Sequence, residues 1–216
     1  MFPLSTHNYI ELAALITSVI FWYKIKNTYL RWFLPFLLFI NIIELSGRYI
    51  RKVMHAPNAW LYNISVPIEY VFYAFFFYTF FKRKFNKMVA KIFLIVFPVW
   101  VIINISLVEG FYSFNTHLLI VGSFFMLLLC LLFFIELLRK EDMYNPVTQP
   151  AFWIVCGLFL FSAGEFAYDT FSHILMVKWE YGEKLFHQIN NNLIFVLYSC
   201  IIIAIISSLW KHEEQI

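Results

Sequence analysis

The chain has 216 residues, of which 62% are apolar, 22% aromatic and 13% charged. Soluble domains carry about 25% charged residues, so this composition excludes an ordinary soluble protein. The formal net charge of +3 is small and its basic residues fall in short connections, which argues against a nucleic-acid partner.

Seven apolar segments can be marked, at residues 8–24, 32–50, 64–81, 88–107, 116–138, 151–176 and 188–209. Each is near the ~20 residues that a bilayer core requires. Their apolar runs are continuous, without strand alternation, so helices are required and a barrel is disfavoured. The sequence therefore predicts an all-α integral membrane bundle of seven transmembrane helices in a single domain, 1–216, in the cell inner membrane. With the N-terminus outside and the C-terminus inside, eleven Lys and Arg fall on the inner side, including Lys24, Arg31, Lys82–Lys84, Arg139, Lys140 and Lys211. Five fall outside, at Arg48, Arg51, Lys52, Lys178 and Lys184, and the imbalance sets that orientation. Trp22, Trp32, Trp60, Trp179 and Trp210 sit at segment ends as interfacial anchors. Pro35 and Pro67 read as first-turn prolines, whereas Pro98 falls mid-span and predicts a kink. No basic residue precedes the first apolar run and no A-x-A site follows it, so a signal peptide is not expected. Cys130, Cys156 and Cys200 all lie inside spans and read as small core residues.

Ionisable groups inside a span are costly, roughly 2.5–3.5 kcal/mol each on insertion scales, and normally face protein or a wet cavity. Segment six carries Glu165, Asp169 and His173 at i, i+4 and i+8, one face of a helix. Two carboxylates a turn apart repel, so one must be protonated, paired with Arg48 or bound to a cation. Other polar residues fall at matching outer depth: Glu11, then Asn41, Glu44 and Arg48 on one face, Glu69, His117, His187 and Asn190–Asn192. The inner half holds little besides Glu136, which can snorkel toward Arg139 and Lys140. This asymmetry predicts a polar pocket in the extracytoplasmic half, with Glu44, Arg48, Glu69, Glu165, Asp169 and Asn191 as its ligand-binding residues.

Blander roles compete with that reading. Glu44 and Arg48 form an i,i+4 pair that can neutralise itself, and Asn190–Asn192 suit a helix start with interhelical hydrogen bonds. His7, His55 and His212 fall in tails or loops and receive no role. His117, His173 and His187, with Asp169, offer a divalent-metal site, the alternative being a metal-dependent membrane lipid hydrolase. Seven-helix ceramidases and adiponectin receptors use three histidines and an aspartate around zinc, but this chain lacks their H-x-x-x-H pair. Segment seven has no lysine for a retinal Schiff base, and no haem pair, phosphate loop, G-x-S-x-G or kinase motif is present. No catalytic set and no resident cofactor are assigned. The basic loop KRKFNKMVAK reads as contact with anionic lipid.

The stretches ELSG, NISVPIEYVFYAFFFYTFF, GFYSFNTHLLIVGS, PAFWIVCGLFLFSAG and NNLIFVLYS together resemble a widespread, uncharacterised family of small multi-pass bacterial membrane proteins. The resemblance spans nearly the whole chain. It implies Glu44, Pro67, Glu69 and Asn115 as shared features, and leaves Glu165 and Asp169 as this chain's own. A fainter likeness is to the membrane accessory proteins of type VI CRISPR systems, which adds a defence-related accessory protein or pore as a further alternative. The leading expectation is a non-enzymatic sensory or accessory module in contact with membrane lipids, with an oligomer left open, acting through a cytoplasmic or membrane signalling partner and without direct nucleic-acid binding.

Overall fold

Backbone N–H and C=O groups find no water in hydrocarbon, so long apolar runs satisfy them internally as helices. A computed structural model describes residues 6–139, 145–178 and 182–210, with side chains for 7–139, 145–171 and 188–208. Regular structure among the described residues is helical throughout. The helices are α1 (Thr6–Ile20), a single turn α2 (Trp22–Ile25), α3 (Phe33–Lys52), α4 (Ala59–Phe80), α5 (Lys84–Ile103), α6 (Thr116–Leu138), α7 (Pro150–Lys178) and α8 (Gly182–Trp210). A 3₁₀ turn at Tyr29–Trp32 leads into α3, its start capped where Thr28 Oγ1 accepts the Leu30 N–H at 3.1 Å. A π-turn, Asn104–Val108, ends α5.

Five of these stretches are long and apolar enough to cross a membrane: Tyr29–Lys52, Lys84–Val108, Thr116–Leu138, Pro150–Phe171 and Gln188–Ser208. The two long helices outside that set differ from it for separate reasons. α1 has only 15 residues. α4 has 22, but Tyr62, Tyr70, Tyr73, Tyr78, Asn63, Pro67 and Glu69 lower its hydropathy. The exposed faces fit a lipid surface. On α3, Leu38, Ile42, Leu45 and Tyr49 form one exposed stripe, and on α5 Met88, Ile92, Val99 and Ile102 do the same.

Six helices close a ring. α1 packs on α3 and α8, α8 on α7, α7 on α6, α6 on α4, and α4 on α3. α5 stands outside this ring, against α4 and α6. α7 and α8 pack closely: a Cβ added to Gly157 would stand 2.8 Å from Cys200 Cβ and 3.3 Å from the Leu197 backbone. One end of the ring is filled with phenylalanine. Phe36 stacks on Phe72 at 3.9 Å, Phe33 meets Phe76 edge-on at 5.8 Å, and Phe77 meets Phe133 at 6.4 Å.

Three expectations are corrected by the helix boundaries and contacts. α4 starts at Ala59, so Pro67 lies inside the helix rather than in its first turn. α8 starts at Gly182, which places Asn190–Asn192 in the helix interior and not at its start. Both segments had been bounded by hydropathy, which marks where lipid begins and not where the helix does. Glu136 does not reach toward Arg139; it accepts the Lys82 backbone N–H and Asn86 Nδ2, both at 2.7 Å, and fastens the α4–α5 turn to α6. Two partners offered across the bundle outcompete a solvated cation on the same helix. Lys140 and Lys211, counted for orientation, lie outside the described residues, as do His212 and Trp179 and the side chains of Lys178, Lys184 and Trp210. Cys130, Cys156 and Cys200 are free thiols, two of them buried.

Candidate functional site

At the end opposite the phenylalanine layer, the ring encloses a cavity of about 460 Å³. All six ring helices contribute to its wall and α5 contributes nothing. Five carboxylates line it: Glu11 from α1, Glu44 from α3, Glu69 from α4, and Glu165 and Asp169 from α7. His7, Arg48, Arg51 and Lys52 supply the basic groups, the last three from the final turns of α3. Five tyrosines, Tyr62, Tyr70, Tyr73, Tyr168 and Tyr198, line it as well. Ile40, Met126, Leu158 and Leu197 form an apolar floor, and the phenylalanine layer begins one turn beyond them.

Each carboxylate is placed by its helix face. Glu44 and Arg48, one turn apart on α3, meet α1. His7 bridges two neighbours there: its Nδ1 donates to Asn191 Oδ1 of α8 at 2.7 Å, and its Nε2 stands 3.8 Å from Glu44 Oε2. Tyr62 donates to Glu44 at 3.3 Å. Arg48 Nη2 donates to Asn8 Oδ1, while Asn8 Nδ2 donates to Glu11 Oε2 at 3.4 Å, so an amide relays between cation and acid. Asn41 Nδ2 reaches the Glu11 backbone carbonyl at 3.3 Å and the Leu37 carbonyl at 2.8 Å, holding α1 against α3. Across the cavity, Tyr70 of α4 donates to Glu165 of α7 at 2.7 Å. The ring of Tyr70 can lie there because residue 122 is glycine: a Cβ at Gly122 would stand 2.6 Å from Tyr70 Cζ. Asp169, 4% exposed, lies one turn beyond Glu165 on the same wall.

One further polar group on this wall is unsatisfied: the Ser162 hydroxyl is buried and makes no hydrogen bond among the described residues. Buried polar groups in folded proteins are paired in the great majority of cases, so this orphan is informative.

The structure therefore brings Glu44, Arg48, Glu69, Glu165, Asp169 and Asn191 to one cavity wall. The metal candidates are placed differently. His117 is 63% exposed at the start of α6, with its Nδ1 2.9 Å from Glu109 Oε1 and no place on the cavity wall. The side chains of His173 and His187 lie outside the described residues. Among the described residues, no three His, Cys, Asp or Glu side chains stand close enough to hold a metal ion together.

Glu109 organises the loop between α5 and α6. It accepts Asn104 Nδ2 at 2.9 Å, the Thr116 N–H at 2.9 Å and the His117 N–H at 3.1 Å, which caps the start of α6. Partial burial alone raises its pKa, but the hydrogen bonds from Asn104 and His117 outweigh that and hold it below the ordinary 4.5. A depressed carboxylate stabilises the fold fully above its unfolded value, and the contribution is lost as pH falls through the lower folded value. Amide-exchange protection factors at Thr116 and His117 should therefore be high above about pH 4.5 and fall below it. Glu109→Gln should abolish that pH dependence, and equal pH profiles in the two proteins would sink the assignment.

Sequence reasoning missed His7, Asn8 and the tyrosines. His7 was assigned to a tail, but α1 begins at Thr6 and carries it onto the wall. The tyrosines had a readable signal: Tyr62, Val66, Glu69 and Tyr73 recur at helical spacing on one face of α4. A scan of family models found no match to this chain, and neither did comparisons with curated proteins and with solved structures.

Proposed function

We propose that the chain is a seven-span membrane protein, N-terminus outside, whose cavity takes up a polar ligand or ion from the extracytoplasmic side. It acts as a sensory or accessory module through a partner, in the manner expected of the small multi-pass bacterial family it resembles. α1 and α2 together run from Thr6 to Ile25, about 30 Å at 1.5 Å per residue, and α4 adds a tyrosine-rich span. With the five apolar stretches these make seven, and the excess of Lys and Arg at the opposite end favours that end as cytoplasmic. The observation that carries the reading is the meeting of five carboxylates and Arg48 from four helices around one cavity of about 460 Å³. That volume falls in the range of small-molecule sites, about 300–1,000 Å³. Occupancy would bias helix packing only through a difference in affinity between two arrangements of the ring.

Cysteine accessibility tests this reading. In a background lacking the three native cysteines, Val66→Cys places a thiol on the cavity wall, while Ile42→Cys places one on the lipid-facing stripe of α3. A membrane-impermeant cationic methanethiosulfonate added outside intact cells should modify Val66→Cys at least ~10-fold faster, because thiolates form in water and not in lipid. Equal rates, or modification of Val66→Cys from the cytoplasmic face alone, would overturn the reading.

A further inference from the structure

We propose that the occupant of this cavity is an organic cation: an ammonium group carrying apolar substituents. The inference rests on the reading of the cavity as a ligand site and names its chemistry. By residue type the wall is acidic. Five carboxylates face three Arg and Lys side chains, and those three all sit on the last turns of α3, at the mouth. Arg48 already donates to Asn8, so an anion entering the cavity would meet carboxylates with little cationic surface to receive it.

The shape of the acidic surface selects against a small inorganic ion. Its carboxylates are spread over α1, α3, α4 and α7, and no three of the described His, Cys, Asp and Glu side chains converge as metal ligands. A bulkier cation touches several of them at once without demanding convergence. The five tyrosines supply what such a cation uses in addition, since a ring face attracts an ammonium within about 6 Å of its centroid. Tyr73 and Tyr198, 5% and 4% exposed, line the cavity together with the Glu69 carboxylate. Ser162, 1% exposed, has a hydroxyl without a hydrogen-bond partner among the described residues. These groups are acceptors for an N–H and polar neighbours for an ammonium. The floor of Ile40, Met126, Leu158 and Leu197 receives the apolar substituents.

The test uses the full chain carrying Val66→Cys, reconstituted in phosphatidylglycerol vesicles, with protection from thiol modification as the readout. Phenyltrimethylammonium should slow modification, at a concentration at least ~10-fold lower than its neutral isostere tert-butylbenzene requires. Glu69→Gln and Tyr198→Leu should each weaken protection about tenfold, and Tyr198→Phe, which keeps the ring face, should leave it within about twofold. Protection seen without added cation, in vesicles of phosphatidylcholine but not phosphatidylglycerol, would identify a lipid headgroup as the source of the ammonium. Protection by the added cation in phosphatidylglycerol vesicles alone would identify a free solute. If Val66→Cys is modified but the cation and its isostere protect alike, or neither protects, the organic-cation assignment falls and the cavity reading stands. If Val66→Cys is not modified at all, both fall.

Discussion

Gly157→Ala should lower the melting temperature of the detergent-solubilised protein by about 2–12 °C. Glycine lets α7 and α8 approach until a Cβ on residue 157 would stand 2.8 Å from Cys200 Cβ and 3.3 Å from Leu197 Cα and its carbonyl oxygen. Cβ and backbone atoms have no rotamer to move into, so the helices themselves must separate. Inserting a methyl group into a packed seam costs about 1–3 kcal/mol, and each kcal/mol moves the midpoint of a domain this size by about 2–4 °C. Small residues matter more in membranes, where close backbone packing replaces the hydrophobic drive between helices. Cys200→Gly in the Gly157→Ala background removes the opposing Cβ and should restore part of the loss. A melting temperature unchanged by Gly157→Ala would mean that the α7–α8 seam is looser than described.

The second large effect concerns the link across the cavity. Tyr70→Phe removes the hydroxyl that donates to Glu165 at 2.7 Å and leaves that acid without its donor. Leaving an acceptor away from bulk water without its donor costs about 1–3 kcal/mol, which corresponds to a fall of about 2–12 °C in melting temperature. Gly122→Ala should reproduce much of this without touching either partner, because its Cβ would enter the space of the Tyr70 ring and push the hydroxyl aside. The two changes should therefore be strongly non-additive in a double-mutant cycle. Simple addition of the two effects would show that Gly122 does not set the position of Tyr70.

Depth along each segment was readable in the sequence, because a long apolar run has only one way to lie across a bilayer. Glu11, Glu44, Glu69, Glu165 and Asp169 could thus be placed at a common level before any helix was packed. Direction around each helix was readable only where several polar residues repeated at i+3 and i+4, as on α3 and α7. The single acid of α4 gave no such repeat, and its face emerges only when the tyrosines are counted with it. Tyrosine scores as apolar bulk or as an interfacial anchor, whereas Tyr62 and Tyr70 use their hydroxyls to satisfy acids on the cavity wall. His7 and Asn8 were hidden for a different reason. α1 begins before the apolar run does, so residues that look like a tail are in fact its first turns. Glu136 shows the converse limit, since its partners come from residues 82 and 86, some fifty positions away, and no local pattern announces them.

The phenylalanine layer sets a directional rule for whatever enters. Phe33, Phe36, Phe76, Phe77 and Phe133 fill the ring just past the cavity floor, and of these Phe33 and Phe77 are sealed to 1% and 0% exposure. Under the function proposed above, a solute that reached the floor would leave through the mouth it used. Its occupancy would then equilibrate with one compartment alone and be blind to concentration in the other. A site of that shape would report how much of something is present on a single side of the membrane.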